Sequence, residues 1–219
     1  MKMQQRWVSR RQVCASVLMG AVHLSGVADP PDTGQSGTSY RLLPLGFEIG
    51  SLTVQSPPSD DTAEAHLLLA MQRHRTHSQI AQIKAQSSDP LPLFWRCAGL
   101  DETLYPEQAQ RILEAVVDTE AVVVALKRRY NRRRPSVVLP QIHPVIPVPP
   151  YASYPSGHAT QSVVIANLMA RLAPKAARRL TVLAMQVGRN REIAGLHYPS
   201  DTNAGFSLGG ELSEIFLRS

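Results

Sequence analysis

Asn190-Arg191-Glu192-Ile193-Ala194-Gly195-Leu196-His197-Tyr198-Pro199-Ser200-Asp201 is the stretch from which the rest of this chain can be read. Gly195 has the position of a helix stop and Pro199 that of a first-turn residue. The stretch therefore joins two helices and holds His197 on the tight connection between them. Its flanks agree, because residues 175–191 before it and 199–217 after it read as helices, as does 156–172. Further upstream, helical periodicity covers 62–86 through Leu67, Leu68, Met71, Ile80 and Ile83, and then 106–135 through Ile112, Leu113, Val116, Val117, Val123, Val124 and Leu126. Pro106 suits the first turn of that second helix and Pro135 ends it. Pro90-Leu91-Pro92 breaks the chain before Leu93-Phe94-Trp95. No clear run alternates with period two. The expected fold is all-α, a helical bundle of about five or six main helices with its candidate site at helix ends.

Residues 136–155 carry six prolines, Pro140, Pro144, Pro147, Pro149, Pro150 and Pro155, which exclude an ordinary helix or a central strand. Such a stiff loop, placed just before Ser156, is expected to frame the mouth of a site. At the other end of the chain, Lys2, Arg6, Arg10 and Arg11 precede an apolar stretch over 13–27 that stops before Asp29-Pro30-Pro31. With Gly26 and Ala28 placed for cleavage, residues 1–28 read as an export signal. Ser9-Arg10-Arg11-Gln12-Val13 resembles a twin-arginine signal, although Cys14 and Ala15 stand where Leu and Lys are usual. Both the twin-arginine and the general secretory routes stay open, and the expected location is periplasmic or secreted. Residues 29–60, rich in Pro, Gly, Ser and Asp, read as an extended arm or linker, and 61–219 as the helical domain.

Removing 1–28 removes four positive charges and no negative ones, which takes the net charge from +6 to +2. The basicity is then mostly a property of the signal, and net charge gives nucleic-acid binding no support. A membrane span needs about 18 or more apolar residues. The best stretch, 112–126, is shorter and is interrupted by Glu114, Asp118 and Glu120, so no integral membrane domain is expected. Cys14 falls in the signal and leaves Cys97 alone, so no internal disulfide is expected.

Three motifs carry chemistry. In Pro155-Ser156-Gly157-His158 a helix opens on a Ser-Gly pair, whose free N–H groups and helix dipole suit an anion. Gly157 lets an oxyanion approach the backbone, Ser156 adds a hydroxyl, and His158 is placed to deliver a proton to a leaving oxygen. In Lys127-Arg128-Arg129-Tyr130-Asn131-Arg132-Arg133-Arg134-Pro135, Lys127 and Arg134 lie nearly two helical turns apart and are expected to share one face. Arg offers a planar fork to phosphate oxygens and Lys a point charge. The other four arginines read as a solvated surface. In the opening stretch, Asp201 can accept from one ring nitrogen of His197, fixing the tautomer and freeing the other nitrogen as a nucleophile, and Arg191 is a further oxyanion clamp. His74 and His77 lie three apart on the first helix, but no carboxylate or thiol stands near them at ligand spacing, so they read as a solvated face.

In order and spacing the three motifs resemble the superfamily that joins type 2 phosphatidic acid phosphatases, bacterial class A non-specific acid phosphatases and vanadium-dependent haloperoxidases. The likeness covers Lys127 to about Gly205, with a looser similarity of helix layout reaching upstream to about Phe94. The resemblance implies that His197 is the nucleophile of a phosphohistidine intermediate, Asp201 its orienting partner and His158 the acid. It also implies that Lys127, Arg134, Ser156, Gly157 and Arg191 hold the phosphate, without a metal. One departure is Asn190, where the family often has Ser; Asn still donates a hydrogen bond.

The expected activity is metal-independent hydrolysis of small phosphate monoesters, as in the acid phosphatases, with no cofactor. One alternative is a haloperoxidase that holds vanadate at His197. Another is a phosphatase without membrane spans acting on lipid headgroups or isoprenoid diphosphates. A nucleic-acid module would rest on residues 127–134 alone and predicts salt-sensitive binding without hydrolysis.

Overall fold

In a computed structural model of the chain, residues 40–87 and 89–219 are described, so the expected export signal and the first part of the arm lie outside them. The described residues form α1 (Thr62–Arg73), α2 (His77–Ala85), α3 (Leu91–Ala98), α4 (Pro106–Tyr130), α5 (Pro135–Val138), α6 (Gly157–Leu172), α7 (Ala177–Ile193) and α8 (Pro199–Arg218), with short 3-10 turns before α1 (Ile49–Ser51), between α3 and α4 (Glu102–Leu104) and between α6 and α7 (Pro174–Ala176). No strand occurs among them, and the fold is all-α.

Three boundaries differ from the sequence reading, each for a local reason. The helix expected over 62–86 is two helices. Thr76 accepts the Gln79 N–H at 3.2 Å while the Gln79 side chain takes the Thr76 N–H at 2.9 Å, and this reciprocal cap starts a new helix at His77. His74 caps the end of α1 instead, so the two histidines belong to different helices and share no face. Pro90 and Pro92 do not break the chain but occupy the start of α3, where a missing N–H costs nothing. Finally, α4 stops at Tyr130 rather than Pro135, because Asn131 turns left-handed (φ 44°) and returns its N–H to the Lys127 carbonyl at 2.9 Å. Arg134 therefore approaches by a reversal of the chain, not along a shared helical face with Lys127.

Helix α6 is the central element and packs most extensively against α7 and α8, with α4 alongside. Val164, Ile165 and Met169 of α6 meet a core built from Val122, Val123 and Leu126 of α4, Leu180 and Val187 of α7, and Leu208, Leu212 and Phe216 of α8, all buried. Each such aliphatic or aromatic side chain stabilises the fold by roughly 1.5–3 kcal/mol. Gly205 and Gly209 let α8 lie directly on α6. A Cβ at Gly205 would stand 2.6 Å from the Ser156 carbonyl oxygen, and one at Gly209 2.6 Å from that of Thr160. Because both indices rise together, the two helices run the same way and begin at the same end. There the Ser156 N–H donates to the Asp201 carbonyl at 3.0 Å. Two helix N-termini, each with partial positive charge, thus open side by side.

The described part of the arm is fastened to the bundle. Asp118, buried in the middle of α4, accepts the N–H groups of Arg41, Leu42 and Leu43 at 2.7–3.0 Å. Farther along, Tyr130 donates to the Val54 carbonyl at 3.0 Å and Tyr154 donates to that of Gln55. Cys97 is a free, half-buried thiol. Among the described residues no helix is long and apolar enough to cross a membrane.

Candidate active site

The site is assembled from three chain segments that converge on the shared start of α6 and α8. Gly195, at φ 80°, ends α7, and the Leu196 N–H closes the turn on the Arg191 carbonyl at 3.0 Å. This delivers His197, buried, to the gap before Pro199. Its Nδ1 lies 3.2 Å from Asp201 Oδ2, and its Nε2 lies 3.2 Å from Arg134 Nη1. A guanidinium only donates, so Nε2 carries the lone pair. An ionised carboxylate only accepts, so Nδ1 carries the proton. The neighbours thus select the tautomer whose Nε2 is free to attack.

Asp201 is held from three sides. Oδ2 also accepts the Tyr198 N–H at 3.0 Å, and Oδ1 accepts from Arg132 Nη1 at 2.6 Å. Burial pulls the carboxyl above its ordinary range against the opposing pull of Arg132 and the Tyr198 N–H. Each contact is nonetheless a donor, and the carboxylate is the form that accepts from all of them. Arg132 is the residue the sequence reading missed. It is buried rather than solvated, and it pairs with Asp61 Oδ1 at 2.7 Å and Glu64 Oε2 at 2.8 Å while lying 4.0 Å above the Tyr198 ring. Asp61 and Glu64 flank the start of α1, so this arginine ties the first helix to the last.

The expected oxyanion ligands fall into two groups. Ser156 Oγ, His158 Nε2, and Arg191 Nε and Nη1 are buried and have no hydrogen-bond partner. Ser156 stands at the N-cap of α6 without capping it, so its hydroxyl is not used by the helix. Gly157 follows as the first helical residue, with the N–H groups of that turn lacking intrahelical acceptors. Arg191 spends one bond, Nη2 to the Ile83 carbonyl at 3.2 Å, and burial pushes its guanidinium down to about 10. Buried polar atoms without partners are costly, so this cluster fits a tetrahedral oxyanion that would satisfy them.

Lys127 and Arg134 are largely committed to the protein. Lys127 Nζ donates to the carbonyls of Ala152, Ser153 and Pro155 at 2.9, 2.9 and 2.8 Å. Arg134 donates to the carbonyls of Tyr151, Leu196 and Ala152 at 2.9, 3.1 and 3.2 Å, with Nη1 still turned to His197. Both cations fasten the proline-rich loop to the site as well as charging it. Burial, aided by Arg134, pushes Lys127 down to about 7, although Asp201 and Glu120 pull it up. Asn190 is buried and donates to Gln86 Oε1 at 2.7 Å.

Burial drives both imidazoles well below the ordinary histidine value. Arg191, Lys127 and Arg134 push His158 and His197 further the same way. Among the described residues, no group of His, Cys, Asp and Glu is arranged to hold a metal ion.

The all-α bundle thus brings buried, unpartnered polar atoms and an Asp-oriented histidine together at paired helix N-termini, an arrangement that suits an oxyanion. The chain belongs to the PAP2 superfamily, whose family model matches residues 109–218. It is 35% identical over 99 residues to decaprenylphosphoryl-5-phosphoribose phosphatase of Mycobacterium tuberculosis, a match covering 43% of this chain and 51% of that protein. A non-specific acid phosphatase of Salmonella typhi is 37% identical over 57 residues, covering 26% of this chain and 23% of the relative. The chain thus spans about half the length, or less, of these curated relatives. Among solved structures, a bacterial vanadium-dependent iodoperoxidase shares the fold with a TM-score of 0.64 and 15% identity, over 76% of this chain and 52% of that one.

Proposed function

We propose that this protein hydrolyses phosphate monoesters through a phosphohistidine on His197. The observation that carries the reading is the pairing of a lone-pair-bearing His197 Nε2, fixed by Asp201, with the unpaired donors of Ser156, His158 and Arg191. The Nε2 lone pair attacks phosphorus in line, the bond to the ester oxygen breaks, and that oxygen takes a proton from His158. Water then attacks the phosphohistidine, giving its proton to His158 and returning His197 with inorganic phosphate. Arg191, Arg134, Ser156 and the first turn of α6 stabilise charge on the equatorial oxygens. Lys127 adds charge at short range and holds the loop.

The two histidines need opposite protonation states, and the site supplies a means. Without a bound anion, burial first and then the surrounding cations disfavour both imidazolium forms. A phosphate dianion offsets the cations' share of that penalty, which favours the uptake of a proton by His158 together with the substrate. The alcohols released by the named relatives include a decaprenylphosphoryl-linked ribose, which keeps lipid-linked esters within the substrate range we propose.

The donor set fits vanadate as well as phosphate, held by the same residues; when bound, vanadate supplies activation of hydrogen peroxide towards halide. The deciding experiment assays an aryl phosphate with chelator against bromide, peroxide and vanadate. Phosphate release that survives chelation, with an acid-labile phosphoenzyme absent from His197→Ala, is the expected result. Halide oxidation alone would overturn the reading.

A further inference from the structure

One ionisable group beside the site has no part in that reaction. Glu120 lies two turns before Lys127 on α4, and Gln161 of α6 donates to its Oε2 at 2.8 Å. No protein donor among the described residues reaches Oε1, and that oxygen is not sealed from solvent. The carboxylate stands at the opening of α6, with Oε2 3.7 Å from where a Cβ on Gly157 would be, next to the residue proposed as the acid. Tyr151 faces the same region. Its ring is 5.6 Å from Lys127 Nζ and 5.3 Å from the Arg134 guanidinium, it is 47% exposed, and its hydroxyl feels the charge of Glu120 without bonding to it.

Burial pushes the Glu120 carboxyl up while Lys127 pulls it down towards the ionised form; that form, so close to a phosphate pocket, opposes the phosphate itself, so its use lies elsewhere on the substrate. With His158 as the acid the leaving oxygen departs on its side, and Gly157, its neighbour in the chain, has Glu120 Oε2 3.7 Å from its Cβ position. A half-desolvated carboxylate oxygen without a partner is served by a hydrogen-bond donor. Lys127 and Arg134 oppose an ammonium there, so a neutral donor such as a hydroxyl suits that oxygen. We propose that Glu120 and Tyr151 form a leaving-group subsite that selects phosphate esters whose alcohol carries further hydroxyl groups, as polyols and sugars do. The inference rests on the phosphatase reading for the direction in which the alcohol points.

Two hydrolysis-inert phosphonates, butylphosphonate and 3,4-dihydroxybutylphosphonate, test it by calorimetry without requiring turnover. Wild-type protein should bind the dihydroxy compound about tenfold more tightly, the size expected for a hydroxyl donating to a carboxylate. Glu120→Ala, and independently Tyr151→Phe, which keeps the ring and the backbone carbonyl bonded to Arg134, should bring the ratio towards one; butylphosphonate affinity should stay within about twofold in Tyr151→Phe and rise in Glu120→Ala, where the opposing charge is gone. Equal affinities in the wild type, or a ratio left unchanged in both variants, overturns the subsite. So does failure of both to bind. If the ratio behaves as expected while no ester is hydrolysed, the subsite stands and the reaction assignment falls.

Discussion

Arg132 Nη1 lies 2.6 Å from Oδ1 of Asp201, the carboxylate whose other oxygen faces His197 Nδ1 at 3.2 Å. The orientation of the proposed nucleophile is therefore set by an arginine that never touches it. Removing one member of a buried ion-pair network costs about 3–5 kcal/mol, because the partners stay buried and uncompensated. Arg132→Ala should lose stability on that scale in denaturant melts. Arg132→Lys should retain more of the fold but lower kcat, since one ammonium cannot reproduce bonds from Nε, Nη1 and Nη2 to Asp61, Ser200, Asp201 and Glu64 together.

The two histidines should respond differently to removal. His197→Ala takes away the proposed nucleophile, and turnover of an aryl phosphate should fall by about a thousandfold or more. His158→Asn removes only proton delivery, and should cost about 10²–10⁴-fold with alkyl esters. The penalty should shrink with aryl esters whose leaving groups need no proton. A rate series against leaving-group pKa reads the difference as a steeper slope in the His158 variant.

Acid should weaken the fold, and bound phosphate should resist that. Both His158 and His197 have folded values below those of the unfolded chain, so the unfolded state binds more protons as pH falls through the ordinary histidine range. Their contribution to stability is intact above about pH 6.5 and declines below it. Thermal melts between pH 7.5 and pH 5, with and without millimolar phosphate, should show a falling Tm that phosphate partly restores. His158→Asn should flatten that part of the profile.

Close helix packing sets the site's dimensions. Gly205→Ala would drive a methyl to within 2.6 Å of the Ser156 backbone oxygen, where no flexible side chain can yield. A loss of about 1–3 kcal/mol is expected, together with weaker phosphate binding, because the atom displaced belongs to the turn that carries Ser156 and His158. Gly210→Ala, one position beyond the packed pair and facing open space, is the control that should leave both unchanged.

What could be read from the sequence was what is local. Gly195, His197, Pro199 and Asp201 lie within seven residues, and their turn chemistry dictates both the helix break and the His–Asp contact. The helical period was legible too, and it misled at Thr76, where apolar spacing continues across a cap that the Thr76-Gln79 pair signals on its own. Arg132 was beyond reach, since Asp61, Glu64 and Asp201 are 71, 68 and 69 residues distant. In isolation it is one arginine in a run of basic residues. The convergence of Lys127 and Arg134 was anticipated by the wrong route, because a single left-handed Asn131 replaces the last helical turn.

The three carbonyls gathered by Lys127 have one more implication. A neutral amine has two hydrogens to share among Ala152, Ser153 and Pro155, so loss of a proton near pH 7 removes one of the three bonds, and among the described residues only Ala152 has a second donor, Arg134, at hand. The strand of prolines around the mouth looks rigid by covalent design. Its last four residues are instead fastened partly by a titratable atom, beside Arg134 at Ala152 and the Ser153 N–H on the Arg132 carbonyl, which makes some of the entrance's stiffness a function of acidity.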